Sequence, residues 1–155
     1  MEKTMKNNIL KSFLLIMLKS FLLIMAFALA SCGDGLTEKV ISTHKNGQPA
    51  KILFFDKENK CVREVDYHDN GFVYMEGAIK NDLRDGEWIS YFKDGKVQSK
   101  GFYKDGLRTG KALVYHENGN LWMDGYYCND HKCGEWIHYD EQGYEVSRSN
   151  FGDCD

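Results

Sequence analysis

Beyond residue 32 the chain alternates apolar and polar side chains in short runs, and no apolar residues recur at helical spacing. Residues 86–106 are representative. Two runs rich in aromatic and β-branched residues are separated by Lys93-Asp94-Gly95 and closed by Lys104-Asp105-Gly106. Asp or Asn tolerates the left-handed backbone conformation and Gly adopts it without steric cost, so these are hairpin turn signals. Asn70-Gly71 and Asn118-Gly119 repeat them, and a single proline, Pro49, leaves ladder hydrogen bonding almost uninterrupted. The pattern predicts strands joined by tight turns.

The runs are periodic. Tyr67, Tyr91, Tyr115 and Tyr139 stand 24 residues apart, each followed four residues later by Gly71, Gly95, Gly119 or Gly143. Gly77, Gly101 and Gly125 keep the same register, as do Gly86, Gly110 and Gly134. Trp88 and Trp136 occupy matching slots, with Ala112 between them. A period this strict marks stacked copies of one supersecondary unit. The predicted fold is all-β: a single-layer, curved antiparallel meander of about ten strands, two per repeat. It spans residues 39–155, with the best copies at 67–90, 91–114 and 115–138.

Strict alternation would put Ile89, Leu113 and Ile137 on one face with the tyrosines. It would put Val73, Val97 and Leu121 with Gly77, Gly101 and Gly125, alongside Ile79, Tyr103 and Tyr127. The glycines are then expected where the sheet bends. The opposite face would carry Trp88, Phe92, Phe102, Trp122, Tyr126 and Trp136 amid charged residues. Of these, Trp88, Phe92, Trp122, Tyr126 and Trp136 form the candidate binding face, because exposed aromatics are typical interface anchors. The competing reading is that the rings pack only on one another.

The first 31 residues read as an address. Lys3, Lys6, Lys11 and Lys19 precede an apolar run over residues 20–30, too short to span a bilayer and suited to a signal-peptide core. The run ends Leu29-Ala30-Ser31-Cys32, which resembles a bacterial lipobox with Cys32 as the lipid acceptor. Residues 1–31 are thus expected to be a lipoprotein signal peptide and 32–38 a lipidated tether. An uncleaved anchor helix is the alternative. The segment at residues 11–17 recurs identically at 19–25, so a duplication or a start at Met17 would explain the long leader. Lipidation implies anchoring to a membrane of the cell envelope, and Gly33 points to the outer one. Removing residues 1–31 leaves 16 basic and 22 acidic residues, a net charge of −6. That argues against a nucleic-acid partner.

Besides Cys32 there are Cys61, Cys128, Cys133 and Cys154. Cys128 and Cys133 flank a tight turn and are placed to form a disulfide across a hairpin. Cys61 with Cys154 is a pairing left open. A zinc clip through Cys128, His131 and Cys133 is the rival reading, but the spacing matches no zinc pattern, and an oxidising compartment favours the disulfide. His68 and His116 share one repeat slot, so the repeat accounts for them; the other histidines are His44, His131 and His138. No nucleophile–base constellation, P-loop or metalloprotease motif is present, so neither an enzyme nor a cofactor or metal is expected.

The order Tyr-x-x-Asn-Gly-x-Leu, Gly-Tyr-Tyr, Gly-Glu-Trp over residues 115–136 resembles the MORN-type repeat in its bacterial variant form. Residues 67–90 come close, and 91–114 lack the tryptophan. Bacterial chains of this pattern resemble YwqK-family antitoxins of toxin–antitoxin systems. The resemblance implies a non-catalytic protein-interaction module, antitoxin- or immunity-like, with a toxin as the protein partner. The alternative is a structural envelope lipoprotein that contacts membrane lipid or cell wall.

Overall fold

The computed structural model of the protein describes residues 35–153. The signal segment, Cys32 and Cys154 therefore lie outside the described residues. Ten strands follow one another: β1 (Thr37–Thr43), β2 (Pro49–Phe55), β3 (Cys61–Tyr67), β4 (Val73–Lys80), β5 (Leu83–Tyr91), β6 (Val97–Lys104), β7 (Leu107–Tyr115), β8 (Leu121–Cys128), β9 (His131–Tyr139) and β10 (Glu145–Asn150). They form one sheet in sequence order, every neighbouring pair antiparallel. β1 and β10 do not pair, so the sheet is open. Each strand pairs in the hydrogen-bond ladder only with its sequence neighbours, as expected of a repeat array.

From β3 onward two kinds of turn alternate. β4–β5, β6–β7 and β8–β9 are joined by two-residue turns, Asn81-Asp82, Asp105-Gly106 and Asn129-Asp130, with positive φ at both positions. This is the hairpin turn whose twist matches that of the strands. The other connections are five residues long; those after β1, β3, β5, β7 and β9 carry Gly47, Gly71, Gly95, Gly119 and Gly143 as fourth residue, with φ between 84° and 90°, and the one after β2 carries Asn59 at φ 59°. Each of these glycines donates its N–H to the carbonyl three residues earlier, as Gly71 does to His68 (3.0 Å).

The longer turns are tied to one another by side chains at the repeat interval. His44, His68 and His116 each donate from Nε2 to the carbonyl of Tyr67, Tyr91 or Tyr139, at 2.9 Å in all three cases. An acceptor-only partner requires the proton on Nε2, which fixes the tautomer. Asn46, Asn70 and Asn118 donate from Nδ2 to the carbonyls of Asp69, Lys93 and Glu141. Position 92 is phenylalanine and position 94 is aspartate, so one rung is missing. There Lys93 reaches back to Asp69 (2.7 Å) and Lys96 forward to the Glu117 carbonyl (3.1 Å). His44 and Asn46 extend the repeat one copy further towards the N-terminus than the residue pattern at 43–66 indicates.

The faces differ from simple alternation, and β-bulges are the reason. Opposite Tyr67, Tyr91 and Tyr115 the register slips by one residue, so that Val73, Val97 and Leu121 pair directly with the tyrosines. The extra residues, Tyr74, Gln98 and Trp122, reverse the parity of everything after them, since a one-residue slip moves each following side chain to the other face. A second irregularity accompanies Gly86, Gly110 and Gly134, all at positive φ. The aliphatic residues therefore share the tyrosine face. Gly77, Gly101 and Gly125 share the other face with Trp88 and Trp136, not the face opposite them.

Candidate functional site

The face of glycines and tryptophans is built as a column. Trp88 is paired with Gly77 on one side and Gly101 on the other, and its indole lies flat over Gly77. A Cβ added at Gly77 would stand 2.3 Å from Trp88 Cδ2, and one at Gly125 would stand 2.2 Å from Trp136 Cδ2. These glycines are absent side chains that make room for rings, rather than bends in the sheet. Each indole edge is satisfied: Trp88 Nε1 donates to the Ala78 carbonyl (3.1 Å) and Trp136 Nε1 to that of Tyr126 (3.0 Å).

A cation caps each ring. Arg84 Cζ lies 4.0 Å from the Trp88 centroid, and Lys132 Nζ lies 4.2 Å from that of Trp136. A tyrosine stands edge-on to each, Tyr103 at 5.9 Å from Trp88 and Tyr127 at 5.0 Å from Trp136. Quadrupole electrostatics favour both arrangements. Arg84, Arg108 and Lys132 also keep the 24-residue interval, as do Tyr103 and Tyr127. The cation slot was legible in that interval, but only stacking against a ring gives it a meaning.

The candidate binding face is consequently divided among three places. Trp88 and Trp136 are 3% and 1% exposed and offer a partner almost nothing; they are the core of their side of the sheet. Phe92 and Trp122 come together at the turn rim, in an open depression with Tyr115 and His116. The His116 imidazole lies 6.0 Å from the Trp122 ring, repeating the contact of His68 with Tyr74 at 5.0 Å. Tyr126 stands on the tyrosine face, 46% exposed, under the Lys111 ammonium at 4.8 Å. Phe102 occupies the matching position two strands away and is exposed as well.

The tyrosine face has its own buried centre, Ile52 and Val65, and a chain of charge contacts. Arg63 pairs with Glu76, which also accepts from the Tyr91 hydroxyl (2.9 Å), and Lys111 pairs with Asp124. Burial, reinforced by the neighbouring Glu76 carboxylate, pushes the Tyr91 phenol up. On the tryptophan side, Glu64 fills the slot that Trp88 holds one repeat later and is bridged by Lys51 (2.8 Å) and Arg84 (3.3 Å). Burial raises the nearby Asp66 carboxyl despite Lys51 at 3.4 Å.

Cys128 and Cys133 form a disulfide across the β8–β9 turn, with Cα atoms 6.0 Å apart and Cys133 buried. Cys61 opens β3 half-buried, its thiol pushed up by burial. Among the described residues no cluster of three or more His, Cys, Asp or Glu side chains is arranged to hold a metal ion.

Residues 84–105 and 108–129 match the family model described as the MORN repeat variant. Two of the chain's repeats thus match the MORN repeat variant. Each matched segment runs from the strand bearing the cation slot, through a longer turn, to the short hairpin turn after the next strand: β5–β6 and β7–β8. MORN repeats in general mediate contacts with proteins or membrane lipid. No curated protein matches the chain.

Proposed function

We propose that this MORN-repeat chain is a non-catalytic protein-interaction module held on a bacterial envelope membrane through lipid on Cys32. The observation that carries the reading is the pair of exposed aromatics, Phe102 and Tyr126, on the tyrosine face of an open sheet over which no second layer lies among the described residues. Aromatic rings beside long charged side chains, here Lys111 and Lys100, are the chemistry of an interface centre and rim. An antitoxin- or immunity-like role, with a toxin as the partner, is the specific form that the sequence resemblance supports. The lipobox-like Leu29-Ala30-Ser31-Cys32 supports delivery to the envelope.

Two experiments test the two halves. Cys32→Ala should release the protein from membranes and abolish incorporation of labelled fatty acid; unchanged attachment would overturn the anchor. Crosslinking in native envelopes should trap one defined protein with the unaltered chain and lose it with Phe102→Ser/Tyr126→Ser. Both positions are exposed, so folding should survive the change. Trapping that is indifferent to these substitutions rejects this face.

A further inference from the structure

The tryptophan column has a gap. Rings cover Gly77 and Gly125, but the residue whose ring would cover Gly101 is Ala112, and a Cβ built on Gly101 meets nothing within 4 Å. Everything that holds the other two indoles is nevertheless in place. Tyr103 and Tyr127 stand at the positions that flank the missing ring on either side. Arg108 holds the place of Arg84 and Lys132, with Cζ 4.2 Å from the Tyr127 centroid. The Phe102 carbonyl corresponds to Ala78 and Tyr126, the acceptors of the two indole N–H groups. A depression of about 200 Å³ lies there, lined by these residues together with Gly101 and Ala112.

We propose that this slot binds an indole ring from another molecule, the side chain of a tryptophan on a protein partner. The ring would lie over Gly101, point its N–H at the Phe102 carbonyl and receive the Arg108 guanidinium on its outer face. The volume is below the roughly 300–1,000 Å³ of drug-sized ligand pockets and suits one large side chain. A free amino acid fits less well. The charged side chain on this side of the slot is Arg108, already engaged by Asp130 (2.8 Å), so a ligand's own ammonium and carboxylate would lose water without replacement. A ring delivered on a peptide backbone avoids that cost. The proposal rests on reading the chain as an interaction module and names the chemistry of its partner.

The test uses the full chain in lipid nanodiscs, observed by NMR at the Ala112 methyl and the Trp88 indole N–H. The probes are N-acetyl-tryptophanamide, a capped peptide with a central tryptophan, and the same peptide with alanine. Both tryptophan probes should shift these signals saturably, with Kd on the order of 1 mM for a single ring, and the alanine peptide should not. Ala112→Trp supplies the ring internally and should weaken binding at least tenfold. Gly101→Val fills the floor instead and serves if the larger substitution fails to fold. Absence of saturable shifts up to about 20 mM, or equal shifts in the two variants, overturns the slot. Probes that fail while an envelope partner is still trapped reject the slot and spare the module. Probes that bind while nothing is trapped keep the slot and count against the module.

Discussion

The Trp88 indole lies so close over Gly77 that a single added methyl would stand 2.3 Å from Cδ2 of the ring. The glycine therefore serves as a seat for the ring, and the two residues act as one packing unit. Trp136 and Gly125 repeat the unit two copies later. Gly101 repeats only the seat.

That difference separates three chemically identical substitutions. Gly77→Ala and Gly125→Ala should each destabilise by about 1–3 kcal/mol, because the ring and strand must shift to admit the methyl. Gly101→Ala places its methyl in open space, at a position without positive φ, and should be neutral or stabilise by up to about 1 kcal/mol. Urea midpoints of the three variants, compared at equal slope, check the ordering.

Tryptophan replacements should split in the same way. Trp136→Ala removes the most buried ring, its N–H bond to the Tyr126 carbonyl and the platform under Lys132, for a loss of about 3–5 kcal/mol. Trp122→Ala removes a ring that is 45% exposed at the rim and should cost about 0.5 kcal/mol or less. Equal losses in calorimetric unfolding would contradict the division of the aromatic residues described above.

The Cys128–Cys133 disulfide closes a short loop, so its stabilisation should be modest. Loop-closure entropy for a separation of five residues corresponds to about 2 kcal/mol. The Cys128→Ala/Cys133→Ala variant should lose about that amount, and reductant should lower the melting temperature of the unaltered chain but not of the variant. A reductant effect that persists in the variant would point to another bridge.

Acid should weaken the fold. Hydrogen bonding to Lys93, Lys104, Lys96, Arg108 and Arg148 holds the carboxyls of Asp69, Asp85, Asp94, Asp130 and Glu145, respectively, below their ordinary values. Between those depressed values and the ordinary ones near pH 4 the unfolded chain binds more protons than the folded one. Their contribution is thus complete above that window and is lost as pH falls through it. Asp66 runs the other way: burial raises its carboxyl, so its share of stability declines as pH rises from its ordinary value towards the raised one, a window above that of the five. The five should give a net loss as pH falls below about 4, smaller at high salt, where exposed pairs are screened. Urea midpoints at several pH values and two salt concentrations measure it.

The period, the strands, the turn chemistry and the open meander were legible from residue types alone. Each depends on local physics: alternation suits a pleated strand, and Asn, Asp and Gly accept positive φ. The tyrosines' aliphatic neighbours on their own strand were legible for the same reason, as Ile89 and Tyr91 lie two residues apart without a bulge between them.

Which second-strand residues share a face with the tryptophans was decided only by tertiary structure. One extra residue at Tyr74, Gln98 and Trp122 reverses the side-chain parity of each second strand, and a 24-residue count is the same with or without it. Phe102 and Tyr126 consequently moved to the tyrosine face, where they are exposed, while Trp88 and Trp136 stayed opposite the tyrosines but are buried there rather than presented to a partner. Ala112 was visible from the start as an interruption in the tryptophan row. That it leaves a seat, between two tyrosines and a cation, with no indole over it depends on which strands pair across Gly101, and pairing is a property of the folded sheet.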